Sequence, residues 1–426
     1  MAVWGIVAAG GRGARLLRGL RAGWAIEGLL VGGAAAYLVL RQPLLAVGLG
    51  VLLAIPAALA RPGLLVAVLV PLSVLSSGVG NGLGLLVAGI AVLLVAVACR
   101  AAVGTRERAR FGRPHLAIVL LGTVLILSVH GAGPSTRASD LGGLLAGLAL
   151  LAAVAALPAR PRTVARLVVL AGGAAAVSGL IAGVEVSGRL AGVGLLANYF
   201  GAMLAVPAAA GVGLARVERR ILWLVPSALC VAAIVQTHSR GAAIAAGAGL
   251  AVALLAGRRL PAQIAGAALV AAAAVVMLHV ANPLTEAVVS GRDADQLDIN
   301  NRVRLDAVRL ALTEAAHHPV LGIGYGAFPQ VAAEDPHLYL YMNTHDDYVR
   351  LAAESGVAAL LLFLVLLGAG LFARAGPAFV PLLAGVGTGA ANLLFANSLA
   401  NLTVSGVFWV CLGTLLAGRR KETVNA

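Results

Sequence analysis

Apolar residues run along this chain in blocks of roughly 15–20, each about long enough to cross a hydrocarbon core ~30 Å thick as a helix. The pattern predicts spans near 24–40, 43–60, 62–77, 82–99, 115–131, 141–157, 167–184, 195–215, 221–237, 241–256, 261–281, 356–373, 377–396 and 404–418. The strict alternation of apolar and polar positions that a membrane barrel needs is absent. The expected class is therefore all-α, a polytopic membrane protein of about 14 (12–14) transmembrane helices.

One long passage breaks the series. From Asn282 to the edge of Gly356 the chain turns polar, with Asp293, Asp295 and Asp298, then NNRVRLDAVRLALTEAAHHPVLGIGYGAF, and at its end NTHDDYVRLAAESG. The expected organisation is a basic tail (1–23), helices 1–11 (24–281), one large loop (282–355), helices 12–14 (356–418) and a second tail (419–426). A loop of that length between spans is a natural place for chemistry at a membrane surface.

Composition supports this picture, with 61% of the 426 residues apolar and 11% charged. The net charge of +14 would suggest a nucleic-acid partner in a soluble protein. Its distribution along the chain argues against one. With the amino terminus inside, 22 of the 31 basic residues fall on that side and 9 on the other, whereas acidic residues are mostly outside. Basic residues set orientation in membranes, so both termini are expected in the cytoplasm and the large loop outside it. Cys99, Cys230 and Cys411 lie in or at the ends of apolar runs, which suits packing rather than disulfides or zinc.

The outside arginines run against the topology signal, and some stand apart from ordinary loops. Arg189 lies in the short connection VSGRLAGVGLLANYF, and Arg240 lies in THSRGAA, with almost no loop around it. Such residues either snorkel or capture an anion, and a guanidinium matches phosphate oxygens with forked donors. Arg302 and Arg304 open an amphipathic helix whose apolar side is expected to carry Leu305, Val308, Leu312 and Ala315 or Ala316. His317 and His318 before Pro319 suit a helix end, and their adjacency argues against a metal site. Gly322, Gly324 and Gly326 lack the preceding strand and following Lys-Ser of a phosphate loop. His345 stands just before a helix that re-enters the membrane, where an imidazole can take a proton from a hydroxyl. Glu354 lies four residues after Arg350, the spacing of a local ion pair.

Three pieces in this order, RLAGVGLLANYFGAML from Arg189, HSRGAAIAAGAGLAVALL around Arg240, and the stretch from Arg304 through THDDYVRLAAESGVAALLLFL, together resemble the O-antigen ligase and O-antigen polymerase superfamily. The resemblance covers roughly residues 185–372. Arg240 matches the arginine of a Ser-Arg-Gly motif. Arg304 sits fifteen residues before Pro319, as the family's loop arginine does, and Arg302 fits the other register. His345 matches the histidine of a His-Asn-x-Tyr-x-x-x-x-x-Glu-x-Gly pattern, with Tyr348, Glu354 and Gly356 in place. Asp346 replaces the usual Asn, and Val308 stands where Trp is common.

The resemblance implies a GT-C-like glycosyltransferase of the bacterial plasma membrane, working outside the cytoplasm, inverting, and without metal or cofactor. It would move a glycan from an undecaprenyl-pyrophosphate-linked donor to a hydroxyl of a glycan or glycolipid acceptor, with the lipid bilayer as its surroundings and no nucleic acid. The implied catalytic residues are His345, Arg240 and Arg304. Arg189, Arg240, Arg302 and Arg304 would bind the pyrophosphate, with Asn198, Asn343, Asp346, Asp347, Tyr348, Glu354, Gly322 and Gly324 in support. A flippase for the same lipid-linked glycan is the alternative; it would need charged residues deep in its spans. A purely structural membrane partner would leave the matched arginines and histidine unexplained.

Overall fold

The computed structural model describes residues 62–76, 82–103, 111–129, 138–158, 160–186, 188–256, 294–372 and 376–418. The expected spans near 24–40, 43–60 and 261–281, both tails and the start of the large loop lie outside the described residues. Those described belong to one compact unit, Ala57–Ala426.

The helices are α1 (Pro62–Leu75), α2 (Gly82–Val103), α3 (Arg113–Ser128), α4 (Ala138–Ala156), α5 (Pro161–Ala182), α6 (Ala197–Glu218), α7 (Leu224–Gln236), α8 (Arg240–Leu255), α9 (Ala294–His317), α10 (Phe328–Glu334), α11 (Asp347–Leu371), α12 (Val380–Asn392) and α13 (Leu402–Gly418). Two short strands, β1 (Val184–Val186) and β2 (Arg189–Ala191), pair antiparallel between α5 and α6, with Val186 opposite Arg189. The described elements are otherwise helical, in line with the expected all-α class; the hairpin forms where VEVSGRLA carries β-branched residues around a turn glycine, Gly188, at φ 69°.

Among the described residues, α2, α5, α6 and α11 are long and apolar enough to cross a membrane, and six further apolar helices are shorter. The innermost layer is α6 against α8 and α12. Small residues make this possible: Ala209, Ala253 and Ala384 meet at its centre. Helix α13 is buried from Leu402 to Leu416 and packs on α4, α1 and α12, as a helix apolar all round should. Helices α2 and α3 instead leave Val87, Val95, Leu116, Val119 and Ile126 exposed on the outside of the bundle, where hydrocarbon would cover them.

Two expected boundaries move for identifiable reasons. Helix α11 starts at Asp347, nine residues before the expected span, because Asp346 caps it and its charged first turns find internal partners. The expected span 377–396 becomes a 3₁₀ turn, Pro377–Phe379, and the short α12, after which residues 393–401 leave helical geometry.

The large loop has a core of its own. Ala307, Ala311 and Ala315 of α9, Phe328 and Ala332 of α10 and Ala352 and Ala353 of α11 pack together. This corrects the expected apolar side of α9: Leu305 and Leu312 are 58% and 53% exposed, and the alanines face inward. The interface with α11 is built from alanine on both sides, and at such close helix approach a leucine would not fit.

Candidate functional site

Two arms carry the candidate residues. The first is the hairpin and the turn between α7 and α8. Arg189 donates from Nε to the Thr237 carbonyl (2.8 Å) and from Nη2 to Asn198 Oδ1. Thr237 closes α7, His238 takes a left-handed φ of 48°, and Ser239 caps α8 by accepting from the Ala242 amide (3.5 Å). Arg240 is the first residue of α8, at the electropositive end of a 16-residue helix. Arg189, Asn198 and Arg240 are therefore brought to one turn, Arg189 through a bond to the residue three before Arg240. Arg189 sits on a strand rather than in the expected open loop.

The second arm is the approach to α11. His345 itself is left-handed, at φ 57°, a conformation that a non-glycine residue holds only when its surroundings enforce it. The following residues supply that enforcement. Asp346 caps α11, its Oδ1 accepting from the amides of Tyr348 (2.9 Å) and Val349 (3.0 Å). Aspartate and asparagine cap helices about equally well, so the departure from the family's asparagine leaves this function intact. The Asp347 amide donates to the Leu393 carbonyl (2.8 Å), and its Oδ2 accepts from the amides of Ser398 and Leu399, each at 2.8 Å. Tyr348 donates its hydroxyl to the Ala390 carbonyl at 2.8 Å. Thr344 completes the turn by donating to the Asp346 carbonyl. Asn343 has a buried Oδ1 with no hydrogen-bond partner.

The imidazole of His345 is pushed down to about 4, first by burial and then by the positive charge of Arg304. It is thus neutral at pH 7. Arg304 shares its helix face with Ala307 and Ala311, three and seven residues on, and this is the face turned toward α11. Arg302 lies about 200° away around the same helix. The charge of Arg304 acts on His345.

The glycines and Glu354 serve to join α9 to α11. At Gly356 (φ 84°, ψ 164°) the helix is interrupted, which frees backbone groups on both sides. Ile323 donates to the Ala353 carbonyl (2.9 Å), Gly324 to the Glu354 carbonyl (3.1 Å), and Val357 to the Pro319 carbonyl (2.9 Å). The segment 319–324 is stitched into the break. Gly322 and Gly356 lie at the crossing, where a methyl on either would collide with the other strand's backbone. Glu354 is fully enclosed, accepting from Arg350 Nε (2.9 Å) and the Phe328 amide (3.3 Å). Arg350 also pairs with Asp140 of α4 (3.1 Å) and lies over the Tyr325 ring. The Arg350–Glu354 spacing is thus an ion pair in fact, and Glu354, Gly322 and Gly324 take part in the joint between α9 and α11. His317 ends α9, and His318 pairs with Glu314 at 3.8 Å.

Two participants were not foreseen. Asp140, 210 residues from Arg350, is a single acid at the edge of an apolar run and gives no signal of its partner. The segment 393–401, which receives Asp347, carries Asn397, whose buried Oδ1 has no hydrogen-bond partner. A clue to it was present in FANSLAN, polar residues set between two apolar runs.

Residues 225–364 match the family described as O-antigen ligase. The matched region contains Arg240, Arg302, Arg304, His345 and the Glu354-x-Gly356 pair, and it supports the O-antigen ligase and polymerase family for this chain. Comparison with curated proteins gives no match.

Proposed function

We propose that this chain is a membrane glycosyltransferase of the O-antigen ligase and polymerase type, moving a glycan from an undecaprenyl-pyrophosphate-linked donor to a hydroxyl of a glycan or glycolipid acceptor. The observation that carries the reading is His345, neutral at pH 7 and held in a left-handed conformation beside Arg304. A neutral imidazole can accept the proton of an attacking hydroxyl; a protonated one cannot.

In this reading the acceptor oxygen loses its proton to His345 and bonds to the anomeric carbon from the side opposite the pyrophosphate. The bond to the pyrophosphate oxygen breaks, and the electron pair leaves with that oxygen. Attack from the opposite side inverts the anomeric centre. Arg240, at the start of α8, and Arg189, hydrogen-bonded beside it, receive the charge that builds on the leaving group. Arg304 faces the same reaction from the His345 side and attracts phosphate; burial and its charge keep the resting imidazole unprotonated, and the negative charge of the bound pyrophosphate offsets that charge so that the ring can take the hydroxyl proton. Arg302, on the opposite face of α9, fits a peripheral role in donor capture. The orientation that places these groups outside the cytoplasm is part of the proposal and rests on the distribution of basic residues.

The test is glycan transfer from a polyprenyl-pyrophosphate donor by the purified full chain in detergent with chelator present. Wild type should release polyprenyl pyrophosphate, and His345→Ala, Arg240→Ala and Arg304→Ala should not while remaining folded. Movement of intact donor across a vesicle bilayer without any release would replace the reading with a flippase.

A further inference from the structure

The segment 393–401 leaves helical geometry between two buried helices, α12 and α13, and irregular backbone inside a helical membrane bundle persists only where it is enclosed by protein or lines a cavity. It is held from three sides. On one, a methyl at Gly143 of α4 would collide with the Ala400 carbonyl, so the two backbones touch. On the second, a methyl at Gly241 would lie 2.6 Å from Phe395 Cβ, which places Phe395 against the residue directly after Arg240. On the third, Asp347 takes the Ser398 and Leu399 amides on one carboxylate oxygen and donates its own amide to Leu393. Ser398, Leu399 and Asp347 are all buried.

The consequence follows from connectivity. Asp347 is two residues from His345, and Phe395 is in contact with the residue next to Arg240. The segment between them therefore touches both arms of the site. Nearby Arg350 is committed to Glu354 and Asp140, so the hydrogen bonds to Asp347 come from backbone amides. A carboxylate accepting two amides holds backbone by hydrogen bonding; burial pushes the Asp347 carboxyl up to about 7, against the opposing pull of Arg350 and the two amides.

The geometry points to Asp347 as a positioning residue that fixes the 393–401 segment, and through Phe395 the Arg240 turn, against His345. This rests on the glycosyltransferase reading, and it extends that reading to a residue that touches neither substrate nor phosphate. Displacing catalytic groups by about 1 Å can cost on the order of 100-fold in rate. Asp347→Ala is expected to lower kcat/KM by about that factor. Asp347→Asn keeps an acceptor oxygen at the same place and is expected to retain most of the activity.

The experiment compares wild type, Asp347→Ala, Asp347→Asn and Phe395→Ala, each as the full chain in detergent, by two measurements. The first is hydrogen exchange of the peptide covering 393–401. Faster exchange in Asp347→Ala and wild-type protection in Asp347→Asn are expected. The second is the pH profile of transfer: loosening the arm lets water reach His345, so its limb rises from near 4 toward the ordinary 6.5 in Asp347→Ala, whereas Asp347→Asn, which likewise lacks the carboxyl that burial pushes up to about 7, keeps the His345 limb near 4, and a mere loss of folded enzyme moves neither limb. Phe395→Ala keeps the carboxylate bonds and the Cβ beside Gly241 yet removes the ring that packs on the Arg240 turn, and is expected to lose rate even if Asp347→Ala fails to fold. Equal loss of transfer in Asp347→Asn and Asp347→Ala with the segment still protected would overturn the proposal, because the carboxylate would then act by its charge. Unchanged exchange in Asp347→Ala would overturn it as well. Failure of the wild type to transfer glycan strikes the glycosyltransferase reading alone, since the exchange measurement reads the clamp directly.

Discussion

Replacing Glu354 separates two roles that its place in the motif leaves merged. Its carboxylate is wholly enclosed and accepts from Arg350 and from the Phe328 amide, so Glu354→Ala leaves a buried guanidinium with the Tyr325 ring, the charge of Asp347 and a direct pair to Asp140, whose side chain is about a quarter exposed. Breaking a buried pair by removing one partner costs about 3–5 kcal/mol. Glu354→Gln keeps one acceptor oxygen and turns an amide donor toward another donor; hydrogen bonds to charged groups are worth about 1.5–3 kcal/mol, so its cost falls below that of alanine. Two of the three free cysteines supply the assay, since Cys230 and Cys411 are buried and become reactive to a fluorogenic thiol dye only on unfolding, over the constant signal of the partly exposed Cys99. Glu354→Ala is expected to lower the unfolding midpoint on the order of 5 °C or more, with Glu354→Gln in between. A paired Arg350→Met and Glu354→Met variant should be less destabilised than Glu354→Ala, because an apolar pair removes both charges together. If Glu354→Gln melted like wild type and yet abolished transfer, the carboxylate would belong to the chemistry and the structural assignment would be wrong.

Gly356→Ala forces a side chain into a conformation essentially reserved for glycine and against the Val320 carbonyl; a loss of about 1–3 kcal/mol from the backbone alone is expected, read as a lower unfolding midpoint, with fast exchange at Ile323, Gly324 and Val357. For His345, the folded value of about 4 lies below the ordinary 6.5, so as pH falls the unfolded chain gains a proton that the folded chain refuses. The stability linked to this group is complete above about 6.5 and is lost progressively down to about 4, so the midpoint of His345→Asn should fall less than that of wild type across this window.

The parts of the fold that were legible from the sequence are those set by local pattern. Apolar runs located α1 to α4, α6 to α8 and α13 to within four residues, α5 begins six residues before the expected 167, and Ser239 and Asp346 are helix caps of the residue types that caps favour. Contacts between distant elements were not legible. Leu305 and Leu312 look like the buried face of α9 by spacing, but the choice of face was made by the alanines of α11, more than 30 residues away in the chain. The choice between Arg302 and Arg304 likewise needed the direction of that face. Within the candidate site, the pairing of Arg189 with Asn198 and Thr237 spans 48 residues at most, and the bonds from Asp347 to Ser398 and Leu399 span 51 and 52. No periodicity encodes such separations.

The stitch at Gly356 has a consequence for how this chain can diverge. Residues 319–324 and 353–357 are sewn together by backbone bonds, so the chain between them departs from and returns to one fixed seam. Within it, α10 and the approach to His345 are anchored, while Tyr339, Leu340 and Tyr341 form an exposed crest. Lengthening a tethered crest is cheap, roughly 0.6 kcal/mol for each doubling of a flexible loop. The crest at residues 339–341 can therefore be lengthened or rewritten between the core-packed residues Leu338 and Met342 without moving the seam beneath, and the surface presented beside His345 can change while the imidazole stays where it is.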